Sequence, residues 1–273
     1  MRAHHGRMDG LPAPWSGLCL HAPQLPEGVA EAARVDGGAA AIRALGLSLL
    51  RGPILAAPDW RGPWLRCDDL RWPAALSGLP GAPVALSWEG NLSLLAEPSV
   101  AIVGTRRCTS TGRGLARDYS AAVVAAGGVV VSGLAAGIDA EAHLAAGGRT
   151  IAVLGQGLAA SLPGWQADLR RRIISAGGLI LSEYHVDMHA DIWTFPRRNR
   201  IIAGLSRGVV VVEAGHRSGA KNTAHYAMEF GREVAAVPGW PMLPSFAGCL
   251  DLVEEGCAVV RGPHSVVALL AAG

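Results

Sequence analysis

The chain contains 273 residues, of which 50% are hydrophobic and only 17% are charged, so length and composition exclude a disordered, solvating protein. The formal net charge of +2 is too small to require a nucleic-acid partner. The charge is nevertheless uneven, because residues 99–217 contain 13 arginines against eight acidic residues. Arginine suits bidentate contact with phosphate and stacking on bases, so this part of the chain favours an anionic partner.

Cysteine usage and hydropathy predict a cytoplasmic protein without membrane contact. The five cysteines include no C-x-x-C pair, which indicates neither a disulfide framework nor a zinc site. The amino terminus lacks the pattern of a signal peptide. The uncharged stretch 121–138 is mostly alanine, glycine and valine, which is typical of a helix end, a turn and a short strand rather than of a bilayer span.

Two parts of the chain differ in composition and in residue pattern. Residues 1–80 are punctuated by proline and glycine and predict a small, irregular, partly helical segment, with the clearest helix signal at 38–50. Residues 81–273 predict the main domain, in which short β-branched runs alternate with helical stretches. This alternation predicts an α/β fold with a mostly parallel sheet and helices on both faces. The six predicted strands are 99–103, 129–131, 150–154, 179–181, 209–212 and 233–237.

Small and polar residues follow each predicted strand, among them G-T-R-R at 104–107, S-G-L at 132–134 and S-G at 218–219. The carboxyl ends of parallel strands lie along one edge of a sheet, and ligands of open α/β sheets bind in the crevice outside that edge. Helix amino termini there present unpaired N–H groups to anions. The layout therefore predicts a binding site for a phosphorylated ligand.

The first of these turns combines Gly104, Thr105 and Arg106 at the end of a strand. It matches neither the dinucleotide-binding nor the Walker pattern, so neither chemistry is implied. Glycine, a hydroxyl and an arginine at a strand's carboxyl end favour a turn that cradles phosphate. The alternative is a plain strand-to-helix turn with an exposed arginine.

Two sets of acidic and histidine residues resemble catalytic or metal-binding groups, but a structural role is favoured for both. Asp139 and His143 have the spacing of an acid–base pair on one helix face, although aspartate at a helix start is more often a cap. The second set is the run His185, Asp187, His189 and Asp191. It is predicted to lie in a loop, and no further cluster of ligands accompanies it, so a metal site is not favoured.

The strongest basic cluster is F-P-R-R-N-R at 195–200, where proline suits the first turn of a helix. An aromatic ring beside arginines and an asparagine favours phosphate contact combined with base stacking, and a solvated charged face is the alternative. The residues predicted to bind are Arg197, Arg198, Asn199 and Arg200, whereas the arginines at 170–172 read as a surface face.

A second anion site is predicted where Ser218 and Lys221 begin a helix after the fifth strand. Capping explains the serine but not the chain's single lysine. Glu213, which follows that strand, is predicted to be a buried, hydrogen-bonded carboxylate rather than a catalyst. No order or spacing of residues supports a nucleophilic triad, so no catalytic residue is predicted.

Several motifs, in order and at family spacing from about residue 82 to 260, resemble the DprA/Smf family of DNA-processing proteins. They are V-A-I-V-G-T-R at 100–106, S-G-L-A-A-G-I-D at 132–139 with A-H at 142–143, I-A-V-L-G at 151–155, S-E at 182–183, F-P-R-R-N-R-I-I at 195–202, G-L-S at 204–206, V-E-A at 212–214, S-G at 218–219 and V-P-G at 237–239.

The resemblance implies an extended Rossmann-like three-layer fold without cofactor or catalysis. It implies a homodimer that binds single-stranded DNA and helps to load the RecA recombinase on it during natural transformation. The residues that would line the DNA pocket are Gly104, Thr105, Arg106, Ser132, Gly133, Arg197, Arg198, Asn199 and Arg200, with Ser218 and Lys221 adjoining.

The sequence departs from the family pattern in three places. The usual Tyr-Pro-x-x-Asn is L-P-G-W-Q at 162–166, which predicts an altered polar wall of the pocket. Lys221 stands where an apolar residue is more common, and the chain stops soon after Val260, so the family's winged-helix domain is expected to be absent.

Two other functions fit the same sheet edge. One is a nucleotide hydrolase resembling the Lonely-guy phosphoribohydrolases, although their P-G-G-x-G-T-x-x-E signature is absent here. The other is a nucleotide-sensing module without DNA binding or catalysis.

Overall fold

The computed structural model describes residues 63–67 and 69–272, so the helix predicted at 38–50 lies outside the described residues. The described chain contains nine strands, which are β1 (Trp64–Arg66), β2 (Ala85–Gly90), β3 (Ser99–Val103), β4 (Val129–Ser132), β5 (Thr150–Leu154), β6 (Leu179–Ser182), β7 (Gly208–Val211), β8 (Glu233–Ala236) and β9 (Ala258–Val259). It also contains seven α-helices, which are α1 (Ser110–Ala125), α2 (Ile138–Ala146), α3 (Gly164–Ser175), α4 (Thr194–Leu205), α5 (Gly219–Glu229), α6 (Ala247–Glu254) and α7 (Pro263–Ala268).

The nine strands form one sheet in the order β1-β2-β6-β5-β4-β3-β7-β8-β9. The seven strands β3 to β9 are all parallel to one another. Strand β2 is antiparallel to both of its neighbours, β1 and β6. The chain adds β4, β5 and β6 on one side of β3 and then returns to place β7 on its other side. The strand order therefore reverses between β3 and β7, where open α/β sheets form their ligand crevice.

The predicted α/β Rossmann-like fold is confirmed, and all six predicted strands are present, with ends that shift by at most one residue. Strands β1, β2 and β9 were not predicted. Two of them have only two or three residues, and β2 mixes polar and apolar residues, as befits an antiparallel strand near the edge of a sheet.

Alternate residues of the central strands pack into separate apolar clusters. Ile151 and Val153 of β5 belong to one cluster, whereas Ala152 and Leu154 belong to a second, smaller one that Leu169 of α3 completes. Because successive side chains of a strand point to opposite faces, these clusters lie on the two faces of the sheet. Burial on both faces explains why the central strands read as continuous apolar runs.

The division of the chain at residues 80 and 81 stays a prediction. The described residues before that boundary contribute β1 to the common sheet, where Leu65 pairs with Leu86. Within the described ranges, no helix is long and apolar enough to cross a bilayer.

Candidate nucleic-acid interface

A cleft of about 340 Å³ opens at the carboxyl ends of β3 and β7, between the loop after β3 and the amino-terminal parts of α4 and α5. Its position is the point at which the strand order reverses. The residues that matter most to its chemistry are Gly104, Thr105, Arg106, Phe195, Asn199 and Ser218.

Arg106 and Phe195 form the mouth of the cleft. The guanidinium carbon of Arg106 lies 5.1 Å from the centroid of the Phe195 ring, which is a cation–π contact. Arg106 is exposed and forms no ion pair within the described residues. Arg107, also exposed, lines the same cleft, although the sequence did not lead us to assign it a binding role. The mouth therefore combines uncommitted cations with an aromatic face.

The loop after β3 is held close to the end of β7. The N–H of Thr105 donates to the carbonyl oxygen of Glu213 at 2.7 Å. An added Cβ at Gly104 would lie 2.9 Å from that same oxygen and would also overlap Ile138, so only glycine fits there. The predicted turn therefore brings its backbone against the neighbouring strand and leaves its arginines pointing outward.

Glu213 is fully buried and bonds the start of α1, which confirms its predicted structural role. Its carboxylate accepts hydrogen bonds from the N–H and the hydroxyl of Thr109, both at 2.9 Å. The Thr109 hydroxyl oxygen in turn accepts from the N–H of Gly112 and caps the helix. An added Cβ at Gly112 would overlap the Glu213 carboxylate.

Asp139 lies beneath the cleft and joins two loops rather than capping its own helix. Its carboxylate accepts backbone hydrogen bonds from Gly133, at 3.1 Å, and from Ala135 and Gly104. Burial raises the pKa of Asp139, while Arg198 and the three backbone donors act in the opposite direction. The amino-terminal cap of α2 is Gly137, so the structural interpretation was right but its expected geometry was wrong.

His143 is buried and forms no pair with Asp139. Its Nε2 accepts from the N–H of Leu134 at 3.3 Å, so the proton is on Nδ1, which lies 2.7 Å from the hydroxyl oxygen of Thr150. The Thr150 hydroxyl donates onward to the carbonyl of Val130. Burial, aided by the charge of Arg198, lowers the pKa of His143 to about 3. The ring is therefore a neutral structural link between α2 and the sheet.

Leu134 is the single described non-glycine residue with positive φ, at 56°. Its N–H is bonded by His143, and its carbonyl accepts from the side-chain amide of Gln166 at 2.8 Å. Gln166 is the last residue of the L-P-G-W-Q segment, which was predicted to alter a wall of the pocket. In the structure it supports the loop after β4, and it does not line the cleft.

The basic cluster on α4 is largely buried. The Arg198 side chain donates to the carbonyl of Gly133 at 2.7 Å, to that of Val153, and to the amide oxygen of Asn199. Burial lowers its pKa to about 10, so it is a charged floor beneath the cleft. The Asn199 amide donates to the carbonyl of Gly219 at 3.1 Å and fastens α4 to α5.

Arg200 points away from the cleft. It forms a buried ion pair with Glu183 and donates to the carbonyl of Gly81 at 2.7 Å. Arg197 is half-buried, and its Nε lies 3.8 Å from the Glu183 carboxylate. A solvated charged face, the alternative considered for this cluster, does not describe these residues.

Of the four remaining residues that were predicted to bind, one lines the cleft and three do not. The Ser132 hydroxyl is buried and donates to the carbonyl of Ile102 at 2.7 Å, and Gly133 is buried between Arg198 and Asp139. Ser218 caps α5 and lines the cleft. Lys221 lies outside it and pairs with Asp251 of α6 at 2.6 Å.

Two surface predictions can also be compared with the structure. No group of three histidine, cysteine or acidic side chains in the described part of the chain could hold a metal ion, including the run at 185–191. Arg171 is exposed as predicted, whereas Arg170 is mostly covered and bonds Glu89 of β2.

Fold and cleft together define a Rossmann-like α/β protein with an arginine–aromatic site at the switch point of its sheet. The chain matches the family model described as DNA recombination-mediator protein A over residues 64–271. It therefore belongs to that family, known as DprA or Smf, and the resemblance drawn from the motifs is confirmed.

Individual relatives support the assignment. The chain is 45% identical to protein Smf of Synechocystis over 77% of its own length and 54% of that protein. It is 44% identical to DNA processing protein DprA of Streptococcus pneumoniae over 74% and 71% of the two chains. It thus spans about half the length of the Synechocystis relative.

Two solved structures have the same fold. DprA from S. pneumoniae superposes with a TM-score of 0.73 and 38% identity, covering 88% of this chain and 86% of that one. DprA from Helicobacter pylori, whose structure describes a single-stranded DNA binding mode, gives a TM-score of 0.69 and 28% identity over 77% and 96%.

Proposed function

We propose that this chain binds single-stranded DNA in the cleft and promotes loading of the RecA recombinase during natural transformation or recombination. The observation that carries the proposal is the exposed, unpaired guanidinium of Arg106 stacked over Phe195 at the switch point of the sheet. Cations that grip phosphates and rings that stack on bases are the chemistry of single-strand binding without sequence readout.

The proposed contacts are fewer than the sequence suggested. Arg106 and Arg107 would meet phosphates, Phe195 a base, and the backbone at Gly104, Thr105 and Ser218 further phosphate oxygens. Arg197, half-buried, would contribute from the flank, while Arg198 and Asn199 would form the floor. Ser132, Gly133, Arg200 and Lys221 would act by supporting the site, because their polar groups are buried or bonded elsewhere.

Binding without catalysis suits the state of the acidic groups. The carboxylate oxygens of Glu213 and Asp139 accept hydrogen bonds from backbone N–H groups and a hydroxyl, and His143 is neutral and buried. None of the three presents a free proton-transfer atom to the cleft. The proposal therefore includes no enzymatic step, and the partners we infer are single-stranded DNA, RecA and a second copy of the chain.

Fluorescence anisotropy of a labelled oligonucleotide, single-stranded and duplex, at several salt concentrations tests the proposal. We expect tight binding of the single strand, weak binding of the duplex and a steep loss of affinity with salt. Absence of single-strand binding at low salt would contradict it. Incubation with nucleoside monophosphates should release no free base, since release would favour the hydrolase alternative.

A further inference from the structure

The loop after β8 exposes large apolar side chains on the same edge of the sheet as the cleft. Trp240 is 68% exposed and Met242 79% exposed. Because β8 is the next strand after β7 and parallel to it, its carboxyl end lies beside the loop that carries Ser218. The loop that carries the exposed Trp240 ring is therefore the neighbour, along the edge of the sheet, of a loop that lines the cleft.

The loop that carries Trp240 is firmly held at its base. The Gly248 N–H donates to the carbonyl of Ala214 at 2.7 Å, and the Leu243 N–H donates to the carbonyl of Trp240 at 2.9 Å. Phe246 packs so closely on Gly239 that no Cβ would fit there. Prolines at 238, 241 and 244 further restrict the backbone. The tryptophan is thus presented to solvent by an ordered loop, which lowers the entropy cost of binding.

The loop after β7, which carries Ser218 of the cleft, also carries an exposed cation. Arg217 is exposed and takes part in no ion pair among residues 63–67 and 69–272. It belongs to the loop after β7, which touches the Trp240 loop where an added Cβ at Gly215 would lie 3.2 Å from the Pro244 carbonyl oxygen. The nearby acid Asp251 is already paired with His216 and Lys221.

We propose that Arg217 and Trp240 form a second nucleotide subsite, which extends the single strand from the cleft across the loops after β7 and β8. This inference rests on the proposed function. The two side chains, an exposed guanidinium and an exposed aromatic ring on adjoining loops, are of the same chemical types as Arg106 and Phe195. The strand would leave the cleft past the amino end of α5, its next phosphate meeting Arg217 and its next base stacking on Trp240.

Length-dependent binding tests the subsite. Trp240→Ala should weaken binding of a strand of about 20 nucleotides about tenfold and leave a strand of about five nucleotides, which fills only the cleft, unchanged. Trp240→Phe should restore most of the affinity, and Arg217→Ala should resemble Trp240→Ala. Leu144→Ala removes a comparably exposed apolar side chain on α2 and serves as the control, with no effect on either strand.

Photo-crosslinking supplies a readout that does not depend on variants. A bromouracil-substituted oligonucleotide should attach to the tryptic peptide 233–261, which contains Trp240. If the full chain binds DNA and Arg106→Ala weakens it, but Trp240→Ala has no effect at either length, the subsite is refuted while the proposed function stands. Failure of the unaltered protein to bind any strand refutes both. If Trp240→Ala instead changes the oligomeric state, this loop is a contact between protein chains rather than a nucleotide subsite.

Discussion

The arginines of this protein divide into those held by the fold and those left to a ligand. Arg198 and Arg200 satisfy their guanidinium groups with buried carbonyls and carboxylates. Arg106 is exposed, and among the described residues it makes a cation–π contact with Phe195 and forms no ion pair. Sequence alone does not separate these cases, because all three occur in short arginine-rich motifs, G-T-R-R at 104–107 and F-P-R-R-N-R at 195–200.

Arg106→Ala is the sharpest test of the binding mouth. Loss of one charged phosphate contact should weaken single-strand binding about tenfold at low salt and reduce the slope of log affinity against log salt by about 1. Stability should not change, since the side chain is exposed. The control is Arg171→Ala, which removes an exposed arginine from α3. Equal losses in both variants would mean that bulk charge, not this site, drives binding.

His143 should give the protein a defined acid sensitivity. Its pKa is about 3 when folded and about 6.5 when unfolded, so between these values the unfolded chain takes up a proton that the folded chain does not. The stability that the neutral ring contributes is therefore complete above pH 6.5 and falls as the pH drops below it.

Urea unfolding of the unaltered protein and of His143→Gln at pH 7.5 and 5.5 measures this effect. The difference in unfolding free energy between the two proteins should shrink by about 1.4 kcal/mol at the lower pH, because glutamine does not titrate. The other histidines titrate in both proteins and cancel. A difference that is independent of pH would show that His143 is not a buried neutral ring.

At the scale of elements, α4 holds the cleft together. Asn199 bonds it to α5, Arg198 bonds it to the loop after β4 and to the end of β5, and Arg200 joins it to Glu183 after β6. The helix that the sequence predicted to bind DNA through its basic residues thus also joins the ends of three strands and the start of α5 at one edge of the sheet. Pro196 is its exposed residue, and the flanking Phe195 and Arg197 are partly exposed.

Arg200→Ala should therefore damage folding rather than binding chemistry. Removing Arg200 leaves the fully buried Glu183 with only the more distant Arg197, whose Nε is 3.8 Å away, and should lower the unfolding free energy by about 3 kcal/mol. The double variant Arg200→Met with Glu183→Gln should recover part of that loss, because no buried charge is left alone. An unchanged unfolding transition in Arg200→Ala would contradict the assignment of this pair as structural.

For the whole molecule, the arrangement of the sheet unites chain segments more than 100 residues apart. The loops after β3, β7 and β8 come together only because β7 returns to the open side of β3. The cleft and the Trp240 loop then form a continuous edge, which suits an extended polymer better than a small nucleotide.

Thermal unfolding with added ligands distinguishes these two kinds of partner. Single-stranded DNA should raise the Tm in proportion to the logarithm of its concentration, as ligands that bind only the folded state do. Nucleoside monophosphates at equal nucleotide concentration should leave the Tm nearly unchanged. The opposite pattern would favour a nucleotide-sensing module.

The parallel sheet, its six central strands, the family and the edge that carries the cleft could be predicted from the sequence, because period, glycine-rich turns and strand spacing are local properties. Which side chains remain available to a ligand depends on the packing of the folded chain. Ser132, Arg200 and Lys221 are engaged by Ile102, Glu183 and Asp251, partners 30 or more residues away or from separate elements. Burial of a polar group requires such partners, and only the packed chain brings them within hydrogen-bonding distance.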